Sequence, residues 1–242
     1  MHILIISDVH ANLAALEAVL LAAGKFDAVW CLGDVVGYGP EPNECVARLR
    51  ELPGLVCLQG NHDAAANGDL PLFSFNQEAR NSIEWLRGVL TEDSLVFLRS
   101  LQVRQQEGDF TLVHASPRQP VLEYLLDTHA AGENFDFFET AYCLVGHTHI
   151  PVIFSRPASQ FVVDLNVPKA NTVTALEPRA IINPGSVGQP RDRDPRAAFA
   201  ILDTEKKLWD YRRVPYDIPA VQQRMRAAGL PERHSARLEL GW

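Results

Sequence analysis

The fold is decided by residues 1–34, which read MHILIISDVHANLAALEAVLLAAGKFDAVWCLGD. Residues 3–6 form an apolar run of strand length, and residues 12–23 repeat leucine and valine at helical spacing. A second apolar run follows at residues 28–32. Strand, helix and strand at this spacing predict two parallel strands joined by a right-handed crossover helix.

The same alternation continues along the chain. A helix is predicted over residues 42–52, because Pro42 stands near its start and Pro53-Gly54 follows its end. Residues 55–58 predict a third strand, and the apolar spacing within residues 76–101 predicts helices. Glu107-Gly108-Asp109 separates two strand-like runs, 103–106 and 110–113, and therefore predicts a hairpin.

The remaining strands are short and closely spaced, which predicts antiparallel pairing. They are residues 152–155, 160–164, 180–183, 197–202 and 208–213. One or two short helices are expected within residues 121–138, a helix at 217–228, and a peripheral tail at 231–242. We predict one domain over residues 1–242, with its site motifs at 8–149 and C-terminal strands and helix at 180–228. Its fold class is α/β: a four-layer α/β/β/α sandwich of two mixed sheets flanked by helices.

The composition is that of an ordinary globular protein, with 47% hydrophobic and 21% charged residues among 242. The formal net charge of −8 argues against extended nucleic-acid binding and against anionic membranes. Four cysteines occur without a Cys-x-x-Cys pair, which favours free thiols in a reducing compartment. No signal-peptide pattern opens the sequence, so a cytoplasmic protein without a membrane segment is expected.

Five short polar motifs each follow an apolar run. They are Asp8-Val9-His10, Gly33-Asp34, Gly60-Asn61-His62-Asp63, His114 and Gly146-His147-Thr148-His149. Strand ends that converge on one site would bring these side chains together. Asp, Asn and His are hard-to-borderline ligands, and there are enough of them for two divalent ions about 3.5–4 Å apart. A water made acidic by two cations would then be the nucleophile.

Each motif also has a structural explanation. Asp8 could cap the following helix, Asp34 could be a turn residue, and Asn61 could form a turn followed by a helix that Asp63 caps. His114 could be a satisfied structural histidine. Two histidines spaced like His147 and His149 do occur by chance, so the combination carries the prediction.

The ordered motifs resemble the signature of the calcineurin-like metallophosphoesterase superfamily, over residues 8–149. Two further segments, 33–40 and 183–191, resemble a bacterial and archaeal branch related to diadenosine tetraphosphatases and Ser/Thr protein phosphatases. The resemblance implies one ion bound by Asp8, His10, Asp34 and His149. It implies a second ion bound by Asp34, Asn61, His114 and His147, with Asp34 bridging.

His62 is the candidate proton donor to the leaving oxygen, with Asp63 holding it in its protonated form. Three residues are candidates for substrate binding: Asn12, Tyr38 and Arg191. Asn12 is also a plausible helix N-cap, and Tyr38 could stack on a base or simply pack. The glycine-rich turn at 183–191 could bind phosphate through backbone N–H groups, or could be purely structural.

The chain departs from related patterns at two places. Ala11 stands where a glycine is common, and Gly37-Tyr38-Gly39 replaces the Asp-Arg-Gly of Ser/Thr protein phosphatases. The second departure removes a phosphate-clamping arginine and argues against a phosphoprotein as main substrate.

The expected activity is hydrolysis of a phosphodiester, a dinucleoside polyphosphate or a small phosphomonoester. The expected cofactors are two divalent ions, with Mn²⁺ favoured and Fe, Co²⁺, Ni²⁺ or Zn²⁺ as alternatives. The alternative functions are a phosphoprotein phosphatase and, in another class, a metal-containing binding module without turnover. The presence of His62 favours an enzyme. The sequence does not indicate an oligomeric state.

Overall fold

The structure is a computed structural model that describes residues 1–157 and 162–242. The strands are β1 (His2–Ile6), β2 (Ala28–Cys31), β3 (Val56–Cys57), β4 (Arg104–Glu107), β5 (Phe110–Val113), β6 (Tyr142–Leu144), β7 (Val152–Ser155), β8 (Asp164–Asn166), β9 (Thr172–Ala175), β10 (Ala180–Asn183), β11 (Ala197–Asp203) and β12 (Leu208–Val214). The helices are α1 (Leu13–Ala23), α2 (Pro42–Arg50), α3 (Asn61–Asn67), α4 (Gln77–Val89), α5 (Glu92–Ser100), α6 (Thr128–Asn134), α7 (Ile218–Ala227) and α8 (Glu232–Leu240). Single 3₁₀ turns lie at Leu72–Ser74 and Phe135–Phe137. Within the two described ranges, no helix is both long and apolar enough to cross a bilayer.

The strands of the described residues form two six-stranded sheets. Their orders are β3-β2-β1-β11-β12-β9 and β4-β5-β6-β10-β7-β8. β1, β2 and β3 are parallel, as the alternation of strand and helix predicted. β11, β12 and β9 extend the first sheet as antiparallel strands. In the second sheet β6 is parallel to both β5 and β10. The other neighbouring strands of this sheet pair antiparallel.

Alternate residues of β1 face two different hydrophobic cores. Ile3 and Ile5 pack between the two sheets, while Leu4 and Ile6 pack beneath the helices of the first sheet. The outer face of the second sheet is covered by α6. These layers confirm the predicted α/β/β/α sandwich of two mixed sheets. Each fully buried aliphatic side chain contributes about 1.5–3 kcal/mol to such a core.

Some predicted strands differ from the observed ones. The third strand is reduced to Val56–Cys57, although Leu58 adds an isolated bridge to Gln102. The strand predicted at residues 160–164 overlaps residues 158–161, which lie outside the described residues, and a strand is present at Asp164–Asn166. β9 was not predicted, because it is an edge strand of only four mostly exposed residues, and Val173 is its one large apolar side chain.

The prediction of a peripheral tail at residues 231–242 is wrong. These residues form α8, which packs against α7 through Leu238 and buries His234 and Ser235. The ring of His234 lies 4.6 Å from the ring of Tyr38, so this helix reaches the wall of the candidate site. The buried face of α8 contains polar residues, and for that reason its sequence shows little apolar periodicity.

Candidate metal centre and active site

The polar motifs meet at the carboxyl ends of the central strands of both sheets. Asp8 and His10 follow β1, Asp34 follows β2, and His114 follows β5. Asn61 and His62 begin α3, and His147 and His149 follow β6. All of these side chains are buried, with between 0% and 6% of their surface exposed.

The backbone at five of these residues is left-handed. The φ angles are +54° at Asp8, +49° at His10, +52° at Asp34, +63° at His147 and +61° at His149. Non-glycine residues rarely adopt this conformation, and such strain concentrates at functional sites. The turns that hold it are fixed by backbone hydrogen bonds, among them those from Asp8 N to Gly33 O and from His10 N to Asp34 O.

One group of donors combines Asp8, His10, Asp34 and His149, whose ligand atoms all lie within 4.8 Å of one another. His149 Nε2 is 3.3 Å from Asp8 Oδ1. His10 Nε2 is 3.6 Å from Asp34 Oδ2 and 3.8 Å from Asp8 Oδ1. Two carboxylates and two imidazoles therefore converge on a volume the size of one ion.

The tautomers of two histidines indicate that this volume suits a cation. Nδ1 of His10 lies 3.2 Å from Val36 O, and Nδ1 of His149 lies 2.5 Å from Gln189 O. A carbonyl oxygen can only accept, so each Nδ1 carries the proton and each neutral ring presents a lone pair at Nε2. The two Nε2 atoms face each other at 3.1 Å. Lone pairs at this separation repel unless a positive charge lies between them.

A second group combines Asp34, His114 and His147. His114 Nδ1 donates to Leu32 O at 2.8 Å, and its Nε2 lies 3.4 Å from Asp34 Oδ2 and 3.2 Å from Asn61 Oδ1. His147 Nε2 is buried without a hydrogen-bond partner among the described residues. The two groups share Asp34, and this donor set fits a second divalent cation.

Without a cation, protons must compensate the negative charge of this site. Burial raises the pKa of Asp8 to about 7. Burial alone would lower the pKa of His114, but the Asp34 carboxylate outweighs it and raises that pKa to about 10. Burial lowers the pKa of His147 to about 3 and holds the pKa values of His10 and His149 well below normal. The imidazoles of His10, His147 and His149 are therefore neutral and available as ligands at pH 7, whereas His114 holds a proton that a cation would displace.

His62 lies beside this donor cluster and lines the cavity above it. Its backbone N–H donates to Asp34 Oδ1 at 2.8 Å, while its ring lies 4.3 Å from Tyr38 and 5.2 Å from Phe75. Burial lowers the pKa of His62 to about 4. The ring is consequently neutral at pH 7 until an anion binds next to it.

The predicted pairing of Asp63 with His62 is wrong. Asp63 accepts hydrogen bonds from the backbone N–H groups of Val35, Val36 and Gly60. His62 Nδ1 has no hydrogen-bond partner among the described residues. Asp63 instead fastens the start of α3 to the loop after β2, which is close to the helix-capping alternative. Through these backbone bonds Asp63 ties together the two segments that carry Asp34 and His62.

Asn12 is not placed for substrate binding. Its side-chain oxygen accepts from Ala15 N at 3.1 Å, and its amide donates to Gly188 O at 2.9 Å. Both halves of the amide are thus used by the backbone, and Asn12 does not line the cavity beside the donor cluster. It is the N-cap of α1, the alternative that its position before the helix already indicated.

The glycine-rich turn at residues 183–191 is structural in its backbone. The N–H groups of Val187 and Gly188 donate to Ser7 O and Asp8 O, and Gln189 N donates to Ser186 Oγ. These groups are therefore not free to bind phosphate. They hold the loop that carries Asp8 in place.

Arg191 does face the cavity, together with Tyr38. Its guanidinium lies 5.7 Å from the centre of the Tyr38 ring and donates to Gln189 Oε1 at 2.9 Å. Its Nε is buried without a partner among the described residues, so the guanidinium retains capacity for an anion. Tyr38 is 8% exposed and lies between His10, His62 and His234, so it mainly packs.

The cavity has a volume of about 350 Å³, near the lower end of the roughly 300–1,000 Å³ of small-molecule sites. Residues that the sequence did not indicate also line it, namely Ser74, Phe75, Asn76, Leu122 and Tyr124. They lie in loops and a 3₁₀ turn outside the motifs, and no periodicity or metal-ligand spacing marks them.

Comparisons with known proteins agree with this fold. Residues 1–207 match the calcineurin-like phosphoesterase superfamily domain. An uncharacterized protein of Methanocaldococcus jannaschii is 35% identical over 246 residues, covering 99% of this chain and 98% of the other. A metallophosphoesterase from Sphaerobacter thermophilus is 47% identical with a TM-score of 0.92, covering 100% and 99% of the two chains. A hypothetical protein of Pyrococcus horikoshii OT3 shares the fold at 19% identity and a TM-score of 0.80, covering 100% and 98%.

The fold, the donor cluster and these matches define the class: a metal-dependent hydrolase that acts on phosphoric ester bonds. The chain belongs to the calcineurin-like phosphoesterase superfamily. The family resemblance carried by the five motifs is therefore confirmed.

Proposed function

We propose that this protein is a dinuclear phosphoesterase that hydrolyses a small phosphodiester, with dinucleoside polyphosphates and small phosphomonoesters as further substrates. The observation that carries the proposal is the pair of donor groups that share Asp34. Both groups are buried, and both open onto a cavity of small-molecule size that also contains His62 and Arg191.

Seven side chains would hold the two ions. Asp8, His10, Asp34 and His149 form the first set, and Asp34, Asn61, His114 and His147 form the second. Two divalent cations in these sets would acidify water and stabilise negative charge on a phosphoryl group. We propose Mn²⁺ as the native ion, with Fe, Co²⁺, Ni²⁺ and Zn²⁺ as chemically acceptable replacements for this N/O donor set.

The chain's own residues supply the remaining chemistry. Arg191 binds the non-bridging phosphate oxygens, because its guanidinium faces the cavity with unused donors. Burial lowers the pKa of His62 to about 4, and the negative charge of a bound substrate raises it. The protonated imidazole then donates to the ester oxygen as water adds to phosphorus and the bond between phosphorus and the leaving oxygen breaks.

The size of the cavity supports a small substrate over a protein substrate. A phosphoprotein phosphatase remains the alternative enzyme, and a metal-containing binding module is the alternative without turnover. We also propose a cytoplasmic location, which follows from the sequence expectation alone.

The test is hydrolysis of bis-p-nitrophenyl phosphate beside p-nitrophenyl phosphate, with Mn²⁺ and with a chelator. We expect metal-dependent cleavage of the diester, and slower turnover with unchanged metal content in His62→Ala. General acid catalysis contributes about 10²- to 10⁴-fold, which sets the size of that loss. Cleavage of the monoester alone would replace the diesterase by a phosphatase. No cleavage with metal bound would favour the binding module.

A further inference from the structure

Two loops that carry no metal-ligand motif line the cavity. The first leads into α4 and contributes Phe75. The second precedes α6 and contributes Leu122 and Tyr124. We call these three side chains the aromatic rim. The sequence motifs account for the floor of the site and leave the rim unexplained.

Phe75 and Tyr124 of the rim each contact a histidine that lines the cavity. The ring of Tyr124 lies 4.0 Å from the ring of His147, tilted by 33°. The ring of Phe75 meets the ring of His62 edge-on at 5.2 Å. A phosphate held between His62 and His147 would therefore place its ester substituents against these two aromatic rings.

The exposed fractions of its side chains show that the second loop presents apolar surface at the cavity. Tyr124 is 49% exposed and Leu122 is 42% exposed, although both line the cavity. Large apolar side chains that stay exposed at a cavity lack the stabilisation that burial gives. A ligand that covers them removes their apolar surface from water, which favours binding. One face of Tyr124 lies on His147, so the half that stays exposed is the half open to a ligand.

The second loop is also held rigid. Glu123, between the two exposed residues, binds Ser116 Oγ at 2.5 Å and Asn134 Nδ2 at 3.0 Å. Arg118 adds a bond from Nε to Glu123 Oε1 at 3.1 Å. Tyr124 is therefore presented in a fixed position, and a ligand that stacks on it does not have to order the loop first.

We propose that Tyr124, with Phe75 and Leu122, is a specificity-determining surface for a nucleobase, so that the preferred substrates are nucleoside phosphodiesters. This inference rests on the proposed function. A planar base presents a π face to Tyr124, as in base–aromatic stacking elsewhere. Ser74 and Asn76 line the same cavity; Asn76 Oδ1 caps α4 by accepting from Ala79 N, so the Ser74 hydroxyl and the Asn76 amide N–H groups are the polar groups offered to the edge of a base. Alkyl and sugar esters have no planar group to cover the rim.

The test compares two esters with the same leaving group in the Mn²⁺-loaded protein: thymidine 5′-(p-nitrophenyl) phosphate and methyl p-nitrophenyl phosphate. We expect the native protein to prefer the thymidine ester. Tyr124→Ala should lower kcat/KM for that ester about tenfold, the effect of losing one stacking contact, and change the methyl ester less than about twofold. Tyr124→Phe should keep the preference.

Phe137→Ala is the matched control, because Phe137 is 47% exposed and does not line the cavity. Metal content is measured for every variant. A native protein that cleaves both esters equally would overturn the inference and leave the proposed function intact. An equal loss for both esters in Tyr124→Ala, with less metal bound, would also overturn it, because Tyr124 would then only support His147.

A separate measurement covers the case in which neither ester is hydrolysed, which would refute the proposed function. Calorimetric titration of the Mn²⁺-loaded protein with thymidine 5′-monophosphate and with methyl phosphate then tests the rim without turnover. Tighter binding of the nucleotide, lost in Tyr124→Ala, would support the inference. Equal affinities would overturn it.

Discussion

Gly37→Ala is expected to disable His62 without removing a metal ligand. A Cβ built on Gly37 would lie 2.5 Å from His62 Nδ1 and 2.9 Å from His62 Cγ. Carbon contacts are optimal at about 3.5–4.0 Å, so the imidazole must move by about 1 Å. A misplacement of about 1 Å can cost about 100-fold in rate.

The substitution should also lower stability. Gly37 has φ +102°, a conformation that L side chains rarely adopt, and forcing alanine into it costs about 1–3 kcal/mol. The three atoms nearest the new Cβ all belong to His62, so metal content should be unchanged. The control is Gly88→Ala in α4, where a Cβ meets nothing within 4 Å and alanine is favoured by about 0.5–1 kcal/mol.

The assay is a double-mutant cycle with His62→Ala, read by diester hydrolysis with Mn²⁺ and by metal analysis of each protein. If the clash acts through the imidazole, Gly37→Ala should slow the native enzyme about 100-fold and have little further effect without His62. Additive losses, or a native rate in Gly37→Ala, would refute this reasoning.

Three further predictions concern binding and stability. Arg191→Met should reduce kcat/KM about 10- to 100-fold with metal content unchanged, because a hydrogen bond to a charged group contributes about 1.5–3 kcal/mol. Steady-state kinetics check this, and Arg191→Lys should restore part of the loss. His234→Leu should reduce the loss of folding stability at low pH. Burial lowers the pKa of His234 from 6.5 to about 4, so between these two pH values the unfolded state binds more protons than the folded state. The stability of the native protein therefore falls as the pH drops from 6.5 to 4. Urea unfolding at pH 7 and pH 5 checks this, and an unchanged difference between the two would contradict it. The metal-free protein should lose stability as pH rises from 6.5 towards 10, because Asp34 raises the pKa of His114 to about 10 against its burial and the stabilising proton is lost there. Thermal unfolding in chelator at pH 7 and pH 9 measures this loss, which Mn²⁺ should reverse.

The layers and the donor cluster could be predicted from the sequence because two signals coincide in it. Apolar runs such as residues 3–6 fix strands, and the polar motif after each run fixes where a functional side chain emerges. Parallel strands bring their carboxyl ends to one edge, so Asp8 and Asp34 had to be neighbours. His114, His147 and His149 lie beside these carboxylates because β5 and β6 of the second sheet end at the same edge.

The role of a side chain could not be predicted where it depends on the direction of the local backbone. Asp63 could orient His62 or cap a helix, and the tight turn of α3 directs it to three backbone N–H groups. Asn12 likewise has its amide fully used by Ala15 and Gly188. Left-handed φ angles at ligand residues are equally hidden, since nothing in an Asp or His indicates them.

The sequence also did not predict packing by segments that lack a regular apolar repeat. α8 buries His234 and Ser235, polar residues that read as surface. Tyr124 lies in an irregular loop that is fixed by Glu123, and neither residue stands in a motif. Tyr124 lines the cavity and His234 packs against Tyr38, which also lines it, so the sequence predicted the metal-ligand cluster better than the surrounding wall of the cavity.

The central claim is tested most directly by titrating metal-free protein with Mn²⁺, with bound metal and diester hydrolysis measured in the same samples. We predict two ions per chain, activity that appears as the second ion binds, and loss of both ions in Asp34→Asn, since Asp34 belongs to both donor groups. Activity that saturates at one ion per chain, or that persists in chelator, would contradict the account.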